Sequence, residues 1–358
     1  MAGQSDWRIG DPDPRIERLR RRRRLTAAGV VAAVAVPAVL YFSGAYDRWQ
    51  DGRSLSGLCH GSVDTAEVKE FLGLDRMRGR NAVAPEGLAS CSLVNPERAG
   101  GSLSVRAGWS PQAAGPALTA LGRMRPNLAT TMARPLGRGH PGVLDLEDPA
   151  KGVAVLALDC PGRTDGNLVV TVEGRPRPDT FADAAQRARF ARIAARAADG
   201  AARVWGCTVP PGQPITDIPA DSWSTPVPAG RAVGTCAGID ATTRGTAADP
   251  RAPMEDCFLS ADDHDTARYR LGAYYPPFAR ALPQVAMGAP ITGATGGKDG
   301  LFWGTASCPG GGTALYTVDT VNDGDRTAAA NPVVEQDALR VFATRSAELH
   351  GCTDLKLP

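Results

Sequence analysis

Apolar and polar positions follow three different rhythms along the chain. From Leu25 to Tyr46, "LTAAGVVAAVAVPAVLYFSGAY" carries no charged side chain. Roughly 20 predominantly apolar residues cross a ~30 Å hydrocarbon core, so the run predicts a membrane-spanning helix over 25–46. Pro37 inside it is tolerated, because neighbouring groups can satisfy the freed carbonyl. Beyond the run a helical period begins. In "VDTAEVKEFLGL" (63–74), Val68, Phe71 and Leu72 share one face, Asp64 or Thr65 caps the start and Gly73 ends the helix. Then the period drops to two. "SLSVRAGW" (102–109) places Leu103, Val105, Ala107 and Trp109 on one side of a strand. "VAVLAL" and "NLVVTV" predict two more strands, joined by the polar turn "CPGRTDG". "PDTFADAAQRARFARIAARAADG" (178–200) is the clearest helix. It has Asp179 or Thr180 as cap, Gly200 as stop, and arginines turned to water or partly covering apolar surface.

The same order of segments then returns. "GLCHG" (57–61) faces "GTCAG" (234–238), and "ASCSL" (89–93) faces "EDCFL" (255–259). "SLSVRAGWSPQAAGPALTALG" faces "ARYRLGAYYPPFARALPQVAMG", "LALDCPG" faces "GTASCPG", and "LVVTVEG" faces "ALYTVDT". "ARIAARAADGAARVWGC" faces "VFATRSAELHGC". A period this long is not a solenoid; it predicts a duplicated globular domain, copy 1 over 57–208 and copy 2 over 231–358. Each copy reads helix, strand, candidate helix, strand, strand, helix. That order predicts an α+β domain, an antiparallel sheet with helices on one face. In copy 2, "IDATTRGTAADP" predicts a shortened first helix. The proline-rich stretch 209–230 reads as an extended, semi-stiff linker, and 47–56 as a tether to the membrane.

Charge sets the topology. Of 358 residues, 40 are Lys or Arg and 38 Asp or Glu, a net charge of +2 that argues against a nucleic-acid partner. The local imbalance is sharper: "RIERLRRRRR" (15–24) abuts the apolar run on its N-terminal side only. By the positive-inside rule, the basic tail 1–24 stays in the cytoplasm and everything after the span is extracytoplasmic. Tyr41, Tyr46 and Trp49 stand at the far end, where amphipathic rings favour the interface. "SGA" (43–45) offers a signal-peptidase site after Ala45, but the apolar run exceeds the 7–15 residues of a signal core. That favours an uncleaved, single-pass anchor in the cell membrane, with the lipid bilayer as partner through 25–46.

All eight cysteines, Cys59, Cys91, Cys160, Cys207, Cys236, Cys257, Cys308 and Cys352, lie beyond this span. An even number in an oxidising compartment, with no Cys-x-x-Cys pair, favours four disulfides over a metal site. Four cysteines per copy allow three pairings. The preferred one is Cys59–Cys91, Cys160–Cys207, Cys236–Cys257 and Cys308–Cys352, because in each copy the third cysteine ends a strand and the fourth ends a helix.

No motif marks catalytic chemistry, a cofactor or a metal. "ITGATGGKDG" (291–300) brushes a phosphate-binding loop, but Thr292 holds the first glycine position and Asp299 replaces the hydroxyl; it reads as a flexible loop. "SADDHD" (260–265) and "VNDGD" (321–325) read as solvated turns, since neither fits a calcium loop. "GGG" (310–312) reads as turn geometry. No Gly-x-Ser-x-Gly is present. His60 and His350, each beside a cysteine, read as packing or surface residues, and Glu147 with Asp148 as a loop pair.

"LCHGSVDTAEVKEFLG", followed by "ASCSLVN" and "SLSVRAGW", resembles the start of exported actinobacterial domains of unknown function, often lipoproteins. It is also similar in plan to the exported sensor domain of some mycobacterial Ser/Thr kinases. The resemblance covers each copy in part. It implies an α+β fold with two disulfides and a binding or sensing role. The chain departs from it in lacking a lipidation cysteine and a kinase domain, so no functional residue is carried over. The expectation is a membrane-anchored extracytoplasmic binding module, its partner an envelope protein or a small-molecule ligand. A cell-envelope enzyme whose site converges only in three dimensions, and a spacer presenting a partner near the membrane, are the alternatives. A deep pocket with perturbed acids or histidines would favour the enzyme; a shallow apolar groove between the copies would favour binding.

Overall fold

A computed structural model describes residues 44–82, 87–96, 101–124, 132–148, 150–163, 166–219, 225–260, 267–286, 291–321 and 329–358, with Arg21, Arg23, Thr26 and Ala33. Met1–Arg53 and Ser54–Pro358 form separate units. The span 25–46 lies largely outside the described residues. Among those described, no helix is long and apolar enough to cross a membrane. The stretch read as a tether is helical over nearly all its length: Ala45–Leu55 is a helix, α1.

The second unit holds two antiparallel sheets of seven strands. The first comprises β1 (Arg78–Ala82), β2 (Ala89–Val94), β3 (Ser102–Trp109), β4 (Arg134–Pro135), β5 (Gly142–Asp148), β6 (Lys151–Leu158) and β7 (Leu168–Arg175). The second comprises β8 (Thr243–Gly245), β9 (Met254–Ser260), β10 (Ala267–Tyr274), β11 (Gly296–Lys298), β12 (Leu301–Cys308), β13 (Gly312–Thr320) and β14 (Thr353–Lys356). Their orders are β1-β2-β3-β7-β6-β5-β4 and β8-β9-β10-β13-β12-β11, with β14 also on β12. Six strands therefore follow the same path in each. The registers coincide too: Cys91 pairs with Val105 and Val105 with Val172, while Cys257 pairs with Leu271 and Leu271 with Val318.

The helices are α2 (Thr65–Leu72), α3 (Ser110–Ala120), α4 (Ala184–Trp205), α5 (Phe278–Val285) and α6 (Pro332–Leu349). Asp64 caps α2 by accepting from the Ala66 and Glu67 amides at 3.0 and 3.1 Å, and Gly73 ends it in the left-handed conformation. The second sheet has no α-helix at the matching place, so the first helix of copy 2 is absent rather than shortened: between the 3₁₀ turn Gly234–Cys236, which matches a turn at Leu58–Gly61, and the short strand β8 the chain is turn and coil.

Three sequence readings need correction. Helices cover both faces of each sheet, not one. Ala154, Leu156, Leu158, Val170 and Val172 pack under α2 and α4, while Val153, Val155 and Val169 pack under α3. The run "VAVLAL" has no polar alternation because both its faces are buried. In the second sheet, Leu271, Ala314, Tyr316 and Val318 face α6, and Met254, Tyr274, Trp303 and Leu315 face α5.

Second, α4 starts and stops later than expected. Thr180–Ala182 forms a separate 3₁₀ turn, Asp183 caps α4 by accepting from the Ala185 amide at 2.8 Å, and Gly206 (φ 70°) ends it. Gly200 lies inside the helix because α4 crosses the Leu58–Gly61 turn there: a Cβ on Gly200 would sit 2.2 Å from the Ser62 Cβ. The arginines of α4 do not simply face water. Arg192 meets Glu67 at 2.9 Å and Arg196 meets Asp64 at 2.8 Å, while Arg189 pairs with Glu70, so α4 clasps α2.

Third, the second half of 291–300 is a hairpin and not a loop. Gly296–Lys298 pairs with Leu301–Trp303 as a hairpin, and Asp299 (φ 53°) with Gly300 (φ 80°) makes its two-residue turn. Positive φ at both central positions is the type I′ demand that Asp-Gly satisfies. Asp148 likewise ends β5 rather than lying in a loop, accepting from the Ala150 amide at 2.8 Å.

The proline-rich stretch has no helix or strand along 209–219 and is fastened down. Ile215 and Ile218 enter the first core. Arg187 donates to the Ile218 carbonyl at 2.9 Å, and Arg192 donates to the Ile215 carbonyl at 3.1 Å.

Candidate functional site: the seam between the two sheets

The inner faces of the sheets meet across α3 and α5, which pack on each other. Small residues bring the helices close. A Cβ on Gly115 of α3 would lie 3.1 Å from Val285 of α5. Ala114, Ala117, Leu118 and Leu121 from one side join Phe278, Ala279 and Leu282 from the other in one apolar cluster.

Beside this cluster lies a buried ionic lock. Asp256 of β9 accepts from Arg123, just past α3, at 2.6 Å and from Arg270 of β10 at 2.8 Å. The oxygen held by Arg123, Oδ2, also accepts from the Ala133 amide at 2.6 Å. Burial pulls Arg123 down, but Asp256, Tyr274 and Asp145 outweigh it and hold the guanidinium above its usual range. Burial also lifts the Asp256 carboxyl. With two guanidinium groups and a backbone N–H on its oxygens, however, Asp256 is the charged partner. One carboxylate thus ties both halves together.

On the solvent side of α3 the seam opens into a shallow groove of about 570 Å³. Arg106, Lys151 and Glu173 form its charged floor, Gly115, Pro116 and Thr119 of α3 one wall, and Val285 of α5 the far edge. Glu173 pairs with Arg106 and stands 3.7 Å from Lys151, leaving one positive charge in excess. At the equivalent ladder position of the second sheet stands Asp319. No arginine or lysine among the described residues pairs with it. Burial pushes its carboxyl up to about 7, with Glu335 adding repulsion and the Thr320 amide offsetting part of it.

A second polar cluster lies under α6. Ser346 donates to Glu255 at 2.6 Å and Arg345 donates to the same oxygen at 2.8 Å. The Tyr275 hydroxyl lies 2.6 Å from the Ser346 hydroxyl and its ring stacks on His350 at 3.6 Å. His350 Nε2 is 3.7 Å from Glu255, ion-pair rather than hydrogen-bond distance. Burial raises Glu255, but His350, Arg345 and Ser346 together hold it below its usual range. A serine, an acid and a histidine converge, yet Ser346 and Glu255 are buried and none of the three lines the groove. They fasten α6 to β9.

The cysteines stand at disulfide distance in the preferred pairing. Their Cα separations are 5.5 Å (Cys59–Cys91), 4.1 Å (Cys160–Cys207), 5.3 Å (Cys236–Cys257) and 4.0 Å (Cys308–Cys352). His60 packs edge-on against Trp205 at 5.7 Å. Gly310 and Gly311, at φ 83° and 81°, turn β12 into β13. Both acidic turns, 260–265 and 321–325, lie almost wholly outside the described residues. The lock and the groove escaped sequence reading because Arg123, Asp256 and Arg270 are separated by up to 147 positions and share no motif; the two adjacent acids opening the "EDCFL" strand were the available signal. The chain matches no known family model, no curated protein and no solved structure.

Proposed function

We propose that the chain is a membrane-anchored, extracytoplasmic binding module, non-catalytic, built from two tandem copies of one α+β domain and taking its partner at the seam groove. The observation that carries the reading is the groove itself. It is shallow, it lies where the two halves meet, and it combines a charged floor with apolar walls, the character of a recognition surface. Four cysteine pairs at disulfide distance support an oxidising compartment. Matching strand order and register support the duplication.

The test is crosslinking of the full chain in its own membrane, followed by capture, with Arg106→Glu/Lys151→Glu as comparison. Both side chains are partly exposed, and far-ultraviolet dichroism of the variant checks that it folds before capture is compared. A specific crosslinked species, lost in the variant, is the expected result. Identical capture by both forms, or none by either, rejects the groove as the binding surface.

A further inference from the structure

Helix α1 presents an exposed aromatic and basic stripe. Tyr46 and Trp49, three residues apart, are 50% and 57% exposed, and their ring centroids lie 5.9 Å apart. Arg53, one turn further on the same face, sets its guanidinium over the Trp49 ring at 5.4 Å. Two large exposed rings side by side are poorly suited to plain water, while the cation beside them is suited to it. They suit a boundary where one side is apolar and the other holds anions.

We propose that this face of α1 is a phospholipid-headgroup contact, with Tyr46 and Trp49 at the acyl–headgroup boundary and Arg53 on lipid phosphate. This rests on the membrane-anchored reading. The occupant follows from where the stripe begins. The uncharged segment 25–46 runs directly into the first turn of α1, so Tyr46 is its last residue and Asp47 the first charge. Heights agree as well. At 1.5 Å per residue, Tyr46 and Trp49 differ by about 4.5 Å along the axis and Arg53 lies about 6 Å beyond. The headgroup layer of one leaflet is about 5–8 Å deep. An upright α1 therefore keeps both rings inside that layer and lets the flexible Arg53 side chain reach the phosphate plane. Arg53 over Trp49 also keeps the cation at the ring face while the lipid phosphate approaches its free edge.

The test uses the full chain in phosphatidylcholine vesicles, with Trp49→Phe supplying the Trp49 emission by difference. Vesicle flotation in alkaline carbonate first reports whether the chain is anchored. The expected result is flotation, with Trp49 emission quenched several-fold more by lipids brominated near the headgroup end of the acyl chain than by aqueous iodide. Arg53→Gln should reduce the added quenching seen when anionic phosphatidylglycerol is included. Flotation with Trp49 quenched by iodide and not by brominated lipid overturns the headgroup contact and leaves the anchor standing. Failure to float overturns both.

Discussion

At the scale of single residues, two aspartates behave in opposite ways because their neighbours differ. Asp256 is surrounded by donors, so removing it strands two arginines in the core. Asp256→Ala should cost about 3–5 kcal/mol, the usual consequence of breaking a buried pair by deleting one partner. Denaturant unfolding of the full chain checks this. A loss under 1 kcal/mol would show that the seam does not depend on the lock. Asp319 has no cationic partner among the described residues, and burial pushes its carboxyl up to about 7 in the fold, against about 3.9 in an unfolded chain. Between those values the folded state holds a proton that the unfolded state has released, so stability falls as pH rises from about 4 to 7. Asp319→Asn should flatten that slope and gain stability above pH 7. Glu255, held below its ordinary range, has the reverse sign: its stabilisation is present above about pH 4.5 and fades as acid protonates it.

At the scale of elements, the test case is Gly200. In an open helix, Gly→Ala gains about 1 kcal/mol from propensity. Here a Cβ would collide with the Ser62 Cα and Cβ at 2.3 and 2.2 Å, so α4 must move off the turn that carries Cys59. We expect Gly200→Ala to destabilise by about 1–3 kcal/mol, the range for overpacking. A gain in unfolding midpoint would mean that α4 does not approach the turn so closely. The same residue shows where sequence reading ends. Capping and periodicity are local, so α2, β3, β6, β7 and α6 were legible from Asp64, Gly73 and the alternation of Leu103, Val105 and Ala107. Whether a glycine stops a helix or makes room for a neighbour depends on Ser62, 138 positions away. The polar edge strands β1 and β8, "RGRNA" and "TRG", carry no hydrophobic signal, because little of β1 is buried and β8 is only three residues long. Covered faces were misjudged for the converse reason: "VAVLAL" is apolar throughout, which signals burial on two sides and not the identity of the second cover.

At the scale of the whole molecule, the sheets are matched in order and joined by a core to which both contribute. The seam cluster and the Asp256 lock should make residues beyond Ser54 unfold in one transition, monitored in denaturant by tryptophan emission and by far-ultraviolet dichroism. Two separated transitions would mean that the copies are independent. Each disulfide closes a loop of 21–47 residues and should contribute about 2–4 kcal/mol, so reduction should lower the midpoint markedly. The most direct measurement of the account is alkylation of the native chain in intact cells with acid quenching, then peptide mapping without reduction. The account predicts no alkylated cysteine and four linked peptides, Cys59–Cys91, Cys160–Cys207, Cys236–Cys257 and Cys308–Cys352. Alkylation of several cysteines, or a link between the two copies, would contradict an exported protein built from two separately closed domains.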